Sequence, residues 1–104
     1  MRGPLGCAMA HQIPVEIAAD IGPFLSRLAK LGYQPTGSLY SPESFGNYFV
    51  DLNSGNAWLR IVRDRGQYFI DVASKEGLRQ AGMLRAFHDR KTFEQAVLEW
   101  LRAA

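Results

Sequence analysis

Cysteine is nearly missing from this chain, with Cys7 standing alone among 104 residues. A lone thiol cannot close an internal disulfide, which excludes the stapled frameworks of small secreted domains and makes a reducing, cytoplasmic setting the expectation. Histidine is scarce as well. His11 and His88 are far apart, and with one cysteine they supply neither a tetrahedral zinc set nor an i, i+4 histidine pair, so no metal or other cofactor is expected. No apolar run approaches the roughly 20 residues that span a bilayer, which removes the membrane as an expected partner. A Gly-rich phosphate loop is lacking too, because Arg65-Gly66-Gln67 reads as a hairpin turn.

A strong excess of one charge is also absent. Twelve Lys and Arg against ten Asp and Glu leave a formal charge of +2. Apart from Arg2 the basic residues are spread from Arg27 to Arg102, whereas nucleic-acid binders group them on one face to neutralise phosphates. Nucleic acid is therefore not the expected partner. The opening MRGPLGCAMAHQ lacks the apolar stretch of about 7–15 residues that a secretory signal needs, being broken at Gly3-Pro4 and Gly6. Residues 1–13 are read as a flexible tail and 14–104 as a single domain, a length that supports one core but not two.

What the chain does have is alternation. From Ser44 to Ser74, SFGNYFVDLNSGNAWLRIVRDRGQYFIDVAS, apolar and polar residues alternate through three runs parted by two turn signals, the pattern of an antiparallel meander. With Arg65-Gly66 as a two-residue turn, Asp64 faces Gln67, Arg63 faces Tyr68, Val62 faces Phe69, Ile61 faces Ile70, Arg60 faces Asp71 and Leu59 faces Val72. With Asn53-Ser54-Gly55-Asn56 as the preceding turn, Asp51 faces Trp58, Val50 faces Leu59 and Phe49 faces Arg60. Because side chains alternate across a strand, Tyr48, Val50, Leu52, Leu59, Ile61, Ile70 and Val72 form the core face. Phe49, Asp51, Trp58, Arg60, Val62, Phe69 and Asp71 form the other.

Helical spacing brackets this sheet. Ile17, Ile21, Phe24, Leu25, Leu28 and Leu31 make one apolar stripe over Pro14 to Leu31, where Gly22-Pro23 implies either a short turn before Pro23 or a kink, and Gly32 suits a C-cap. Tyr33 to Ser41 is consistent with a further short strand. Leu78, Met83, Leu84 and Phe87 suggest a helix within Gly77 to His88. Thr92 and Gln95 have capping-box spacing, placing the start of a last helix at Thr92, with Phe93, Ala96, Val97, Trp100 and Leu101 on its apolar face. The expected fold is α+β: an N-terminal helix, a three- to four-stranded antiparallel meander and two C-terminal helices, with the helices on one sheet face.

No catalytic set is legible, and the chain is not expected to be an enzyme. His88 beside Asp89 lacks a nucleophile, and adjacent helical residues do not face each other, so His88 is read as a helix-end histidine on a C-terminal dipole. Asp51 and Asp71 on one face would suit glycoside hydrolysis if they stood about 5–9.5 Å apart, but cross-strand ion pairing with Arg60 explains them more simply. Phe49, Trp58 and Phe69 interleaved with Arg60 suit either a covered face or an exposed one. An exposed face could bind protein through aromatic and Arg anchors, with Arg63, Asp64 and Arg65 at the hairpin tip steering a charged partner. It could instead stack RNA bases, the alternative being an RNA-binding accessory domain.

Ser44-Phe45-Gly46-Asn47, the run from Leu59 to Gln67 and the run from Phe69 to Ser74 resemble small bacterial immunity-type proteins associated with polymorphic and contact-dependent toxins. The likeness covers about the middle third of the chain. It implies a cytoplasmic inhibitor that binds a cognate protein toxin tightly and performs no catalysis. The candidate partner-binding residues are Phe49, Asp51, Trp58, Arg60, Arg63, Asp64, Arg65, Phe69 and Asp71. A nuclease toxin would offer a basic cleft and call for an acidic surface, which the slightly basic average of this chain does not suggest. The sequence leaves a homodimer open.

Overall fold

The apolar stripe before the sheet is buried along helix α1, Val15–Lys30, in the computed structural model, which describes residues 11–103. Ile17, Ile21, Phe24, Leu25 and Leu28 face inward. Of the two outcomes expected at Gly22-Pro23 the kink is realised: Ile21 leaves helical geometry at φ −129°, ψ 20°, and the helix continues beyond it. The helix closes on Gly32 at φ 97°, with the Gly32 amide donating to the Ala29 carbonyl and the Tyr33 amide to that of Leu28. These two bonds make a complete Schellman cap.

Four antiparallel strands follow in sequential order, β1 (Gln34–Ser41), β2 (Asn47–Ser54), β3 (Ala57–Asp64) and β4 (Gln67–Val72). The first strand is therefore a full partner of the meander. The β3–β4 register is the expected one, pair for pair, around Arg65-Gly66, both at positive φ as a type I′ turn requires. The β2–β3 register differs from expectation by two residues. Gly55-Asn56 alone makes the turn, Asn53 and Ser54 extend the ladder, and Asp51 consequently faces Arg60 while Phe49 faces Val62. Gly55 carries a positive φ at the first turn position, suiting a short II′-like connection that keeps two more residues paired. Since strand periodicity is two, this correction leaves every side chain on its assigned face.

Helix α2 covers only Lys75–Gln80, shorter and earlier than expected, and buries Leu78. The chain then runs irregularly to Phe87, whose amide and carbonyl both bond Tyr68 across the outer edge of β4. Helix α3, Arg90–Ala103, begins two residues before Thr92. Asp89 is its cap: one carboxylate oxygen accepts from the Thr92 amide at 2.8 Å and from its hydroxyl at 2.7 Å. Thr92 thus serves as the capped residue, correcting the expected capping box. A short acidic side chain just outside the helix reaches the orphan amide and also meets the positive dipole end. His88 lies before this N-terminus, with Nδ1 3.3 Å from the Gln67 side-chain amide, so the expected C-terminal dipole role does not apply.

Among the described residues the buried side chains come from the helices, the Met83–Phe87 segment and one sheet face. Phe93 sits at the centre, with Phe24, Tyr68 and Phe87 packed around its ring at centroid distances of 5.5–6.0 Å. The core face holds Tyr48, Val50, Leu52, Leu59, Ile61 and Ile70 as expected, with Tyr68 added and Val72 partly buried. Residues 1–10 lie outside the described residues, so the expected tail is described only from His11. There His11 Nε2 is 2.6 Å from the Ser38 hydroxyl, and Ile13 packs on the core.

Candidate functional site

The second face of the sheet is covered by no helix among the described residues, because every helix packs on the other side. Its side chains form rows across the strands. One row is apolar from edge to edge: Leu39 on β1, Phe49 on β2, Val62 on β3 and Phe69 on β4. The neighbouring row runs Gly37, Asp51, Arg60, Asp71. Beyond it stands Trp58 opposite Asn53, and at the other end Asn47 donates to the Asp64 carboxylate at 2.9 Å. Residues in such rows touch across the ladder, so the face behaves as one surface.

Arg60 organises the centre. Its guanidinium donates twice to Asp51, Nε at 2.6 Å and Nη2 at 3.1 Å, and lies 4.0 Å from the centroid of Phe49 and 5.9 Å from that of Trp58. The hydrogen bond to Asp51 raises the guanidinium further above its ordinary range, and the charges of Asp51 and Asp71 add to this. A planar cation held by a bidentate carboxylate and an aromatic face is fixed in place before any partner arrives. Phe49, Trp58 and Phe69 are half-buried, whereas Leu39 at the sheet edge is 55% exposed. A shallow depression of about 310 Å³ opens between Leu39, Phe49, Val62 and Asp64.

Six of the nine candidate residues, Phe49, Asp51, Trp58, Arg60, Phe69 and Asp71, are thus brought together on this face, and Asp64 borders it. Arg65 projects from the β3–β4 turn and is 82% exposed, with its amide held by the Asn47 side chain. Arg63 is elsewhere. It lies on the helix side, where its guanidinium is 5.8 Å from the Tyr68 ring and 4.0 Å from Asp20. The hairpin tip therefore divides between the two faces.

Two exposed residues escaped the sequence reading. Leu39 belongs to the strand that was least legible. Phe45, in the turn after the short 3₁₀ segment Pro42–Ser44, is 83% exposed and holds the left-handed conformation at φ 61°, ψ 28°. Gly46 beside it also holds a positive φ, 72°. The available signal was an aromatic placed inside a turn, where it has no strand face to join. Phe45 and Arg65 flank a common depression at one end of the sheet.

Charge is segregated in a way that the average conceals. On the uncovered face and its border three carboxylates, Asp51, Asp64 and Asp71, meet two guanidinium groups, Arg60 on Asp51 and Arg65 of the turn 4.0 Å from Asp64. The helix side carries a separate cluster. Asp20 Oδ2 accepts the hydroxyls of Tyr48 at 2.6 Å and Tyr68 at 2.8 Å, and Arg90 Nη1 donates to the Asp20 carbonyl at 3.0 Å, close to where the kink interrupts helical bonding. Burial, then the hydrogen bond to Asp20, pushes Tyr68 up to about 12 and Tyr48 further in the same direction. Glu94 is raised by burial against the opposing pull of Arg90. This cluster ties α1 to the sheet and to α3, and the cleft of about 570 Å³ between those helices is lined by it and by Arg27, Lys91 and Arg102.

Among the described residues no group of three or more His, Cys, Asp and Glu is placed to hold a metal ion, and no helix is long and apolar enough to cross a membrane. Asp51 and Asp71 do share a face, as glycoside hydrolysis would need, but Asp51 is committed to Arg60, which stands between them in the row. Comparison with protein-family models, curated proteins and solved structures returned no match to this chain.

Proposed function

We propose that the protein is a toxin-neutralising, immunity-like protein that docks a cognate bacterial toxin on its uncovered sheet face and performs no catalysis. The observation that carries this reading is the apolar row Leu39, Phe49, Val62, Phe69, which crosses all four strands beside the fixed Arg60 on a face without a helix. Apolar rows of this extent on a small domain mark interaction surfaces. Aromatic and Arg anchors ringed by polar groups are the composition that carries protein–protein affinity. The resemblance of the Ser44–Ser74 stretch to immunity-type proteins supplies the class of partner. The face carries three carboxylates against Arg60 and the bordering Arg65, a small acidic surplus that suits a partner with a basic cleft, as a nuclease toxin has, better than the chain average does.

The RNA-binding alternative would use Phe49, Trp58, Arg60 and Phe69 on the same face. Arg60 is already neutralised by Asp51, and the surrounding carboxylates repel phosphate. The test is to look for a toxin-like reading frame beside this one, co-express its product with the chain and titrate the purified pair. Protection of cells, lost in Trp58→Ala and Phe49→Ala proteins that keep the wild-type circular dichroism spectrum, is the expected result. Failure to protect overturns the toxin reading. Salt-dependent RNA binding that disappears in Trp58→Ala would establish the alternative.

A further inference from the structure

The two edges of the sheet are treated differently. On β4 the outer edge is partly closed, since Phe87 exchanges both backbone hydrogen bonds with Tyr68 and α2 packs nearby. On β1 no described residue pairs with the outer edge. The segment His11–Pro14 meets this strand through the His11 ring at Ser38, which lies on the helix side, and makes no backbone bond to it. Exposed edges are normally guarded by charged side chains, proline or bulges, because their free amides and carbonyls template further pairing. The strand Gln-Pro-Thr-Gly-Ser-Leu-Tyr-Ser contains no charged residue. Its guards are confined to its ends: Pro35 and the irregularity between Pro35 and Gly37 at one, Pro42 at the other. Between them Gly37 to Ser41 is uncharged and paired on one side only, with Leu39 55% exposed.

We propose that the chain self-associates by antiparallel pairing of β1 with β1 of a second copy, centred on Leu39. A second copy is the occupant that fits, because neutral edges can oppose each other without setting like charges face to face. The guards also select the register. A two-fold antiparallel pairing sets one residue opposite itself, and centring it on Leu39 pairs Gly37 with Ser41 and Ser38 with Tyr40, using the whole clear run. Centring on Ser38 draws Pro35 and the bulge into the ladder, and centring on Tyr40 spends the pairing on Pro42, which has no amide to give. With Leu39 against Leu39 the apolar rows of the two copies join into one row across eight strands. This assembly uses the strand edge and leaves both open faces accessible; it shares Leu39 with the docking row, and sedimentation of the chain alone reads it without any partner.

Sedimentation velocity on the full chain tests it. The weight-average mass is expected to rise with concentration from 11.6 kDa toward twice that value, with amide exchange slowing selectively between Gly37 and Ser41. Leu39→Lys and Leu39→Asp should each remain monomeric with unchanged circular dichroism, because Leu39 is exposed and each places like charges across the two-fold axis. Mixing the two variants should restore the dimer mass, since Lys then opposes Asp. A wild-type chain that stays monomeric at every concentration overturns the proposal. So does a dimer that survives Leu39→Lys, or a pair of variants that fails to recombine.

Discussion

On the proposed docking role Phe45 would set stability against binding, and replacing it separates the two. A left-handed conformation costs an ordinary side chain about 1–2 kcal/mol, and asparagine tolerates it much better than phenylalanine. Phe45 is 83% exposed at φ 61°, so folding recovers only part of that cost through burial, at most about 1 kcal/mol by area. Phe45→Asn should therefore stabilise the fold by about 0.5 kcal/mol, raising the thermal midpoint by about 2–4 °C for a domain of this size. Phe45→Ala is the control, because it discards the ring while keeping an ordinary Cβ at positive φ, and it should give no gain. Calorimetry on the three proteins measures the stability side. Titration with the partner measures the other, where loss of an exposed aromatic at the sheet end should weaken binding about tenfold or more. A lower midpoint for Phe45→Asn than for wild type would refute the reasoning, because the ring would then be making stabilising contacts in the folded chain.

Three further outcomes follow from the pairings around the sheet. Asp51→Asn removes the charge facing Arg60 across a partly exposed pair, and urea denaturation should register a loss of about 0.5–1 kcal/mol; an unchanged midpoint would mean that stacking on Phe49 alone holds the guanidinium. Tyr48 and Tyr68 keep their protons in the fold above the ordinary phenol value of 10.0, Tyr68 to about 12. Their contribution is complete below pH 10 and is lost as pH rises through the folded values, so alkaline unfolding should begin between pH 10 and 12 with tyrosinate absorbance appearing in the same transition. Read on a Tyr33→Phe, Tyr40→Phe protein, in which Tyr48 and Tyr68 are the only phenols, tyrosinate appearing at pH 10 in a still-folded protein would contradict this. Asp89 is held below its ordinary range by the Thr92 hydroxyl and amide, so its capping stabilises above the unfolded pKa and fades as pH falls through the folded one. Asp89→Ala should lower the thermal midpoint at neutral pH and matter less in acid; an equal effect at both would assign the loss to packing.

The face assignment was legible because strand periodicity is insensitive to a two-residue error. Misjudging the turn at Asn53–Asn56 changed every β2–β3 partner and no side chain's face, so the grouping of Phe49, Asp51, Trp58, Arg60, Phe69 and Asp71 survived a wrong register. The specific Asp51–Arg60 pair did not, because turn length rather than alternation decides it. The C-terminal third was less readable for a different reason. Between Gln80 and Asp89 the apolar residues Met83 and Phe87 are buried by an irregular segment that bridges the sheet edge, and such a segment has no period. The Asp20 cluster was invisible because it joins residues 28, 48 and 70 positions apart in sequence.

Net charge misled most, and the reason is geometric. A chain with a formal charge of +2 was expected to lack an acidic surface, yet an antiparallel strand sorts its charges by parity. Asp51, Arg60, Asp64 and Asp71 occupy alternate positions that all point away from the helices, while Arg63, one residue out of step, points toward them. Moving that single arginine to the helix side removes a cation from the exposed face and gives Asp20 a nearby counter-charge at the same time. The surface a partner meets is thus set by which charges share a parity, and on that count the uncovered face offers carboxylates around a fixed cation to whatever docks there.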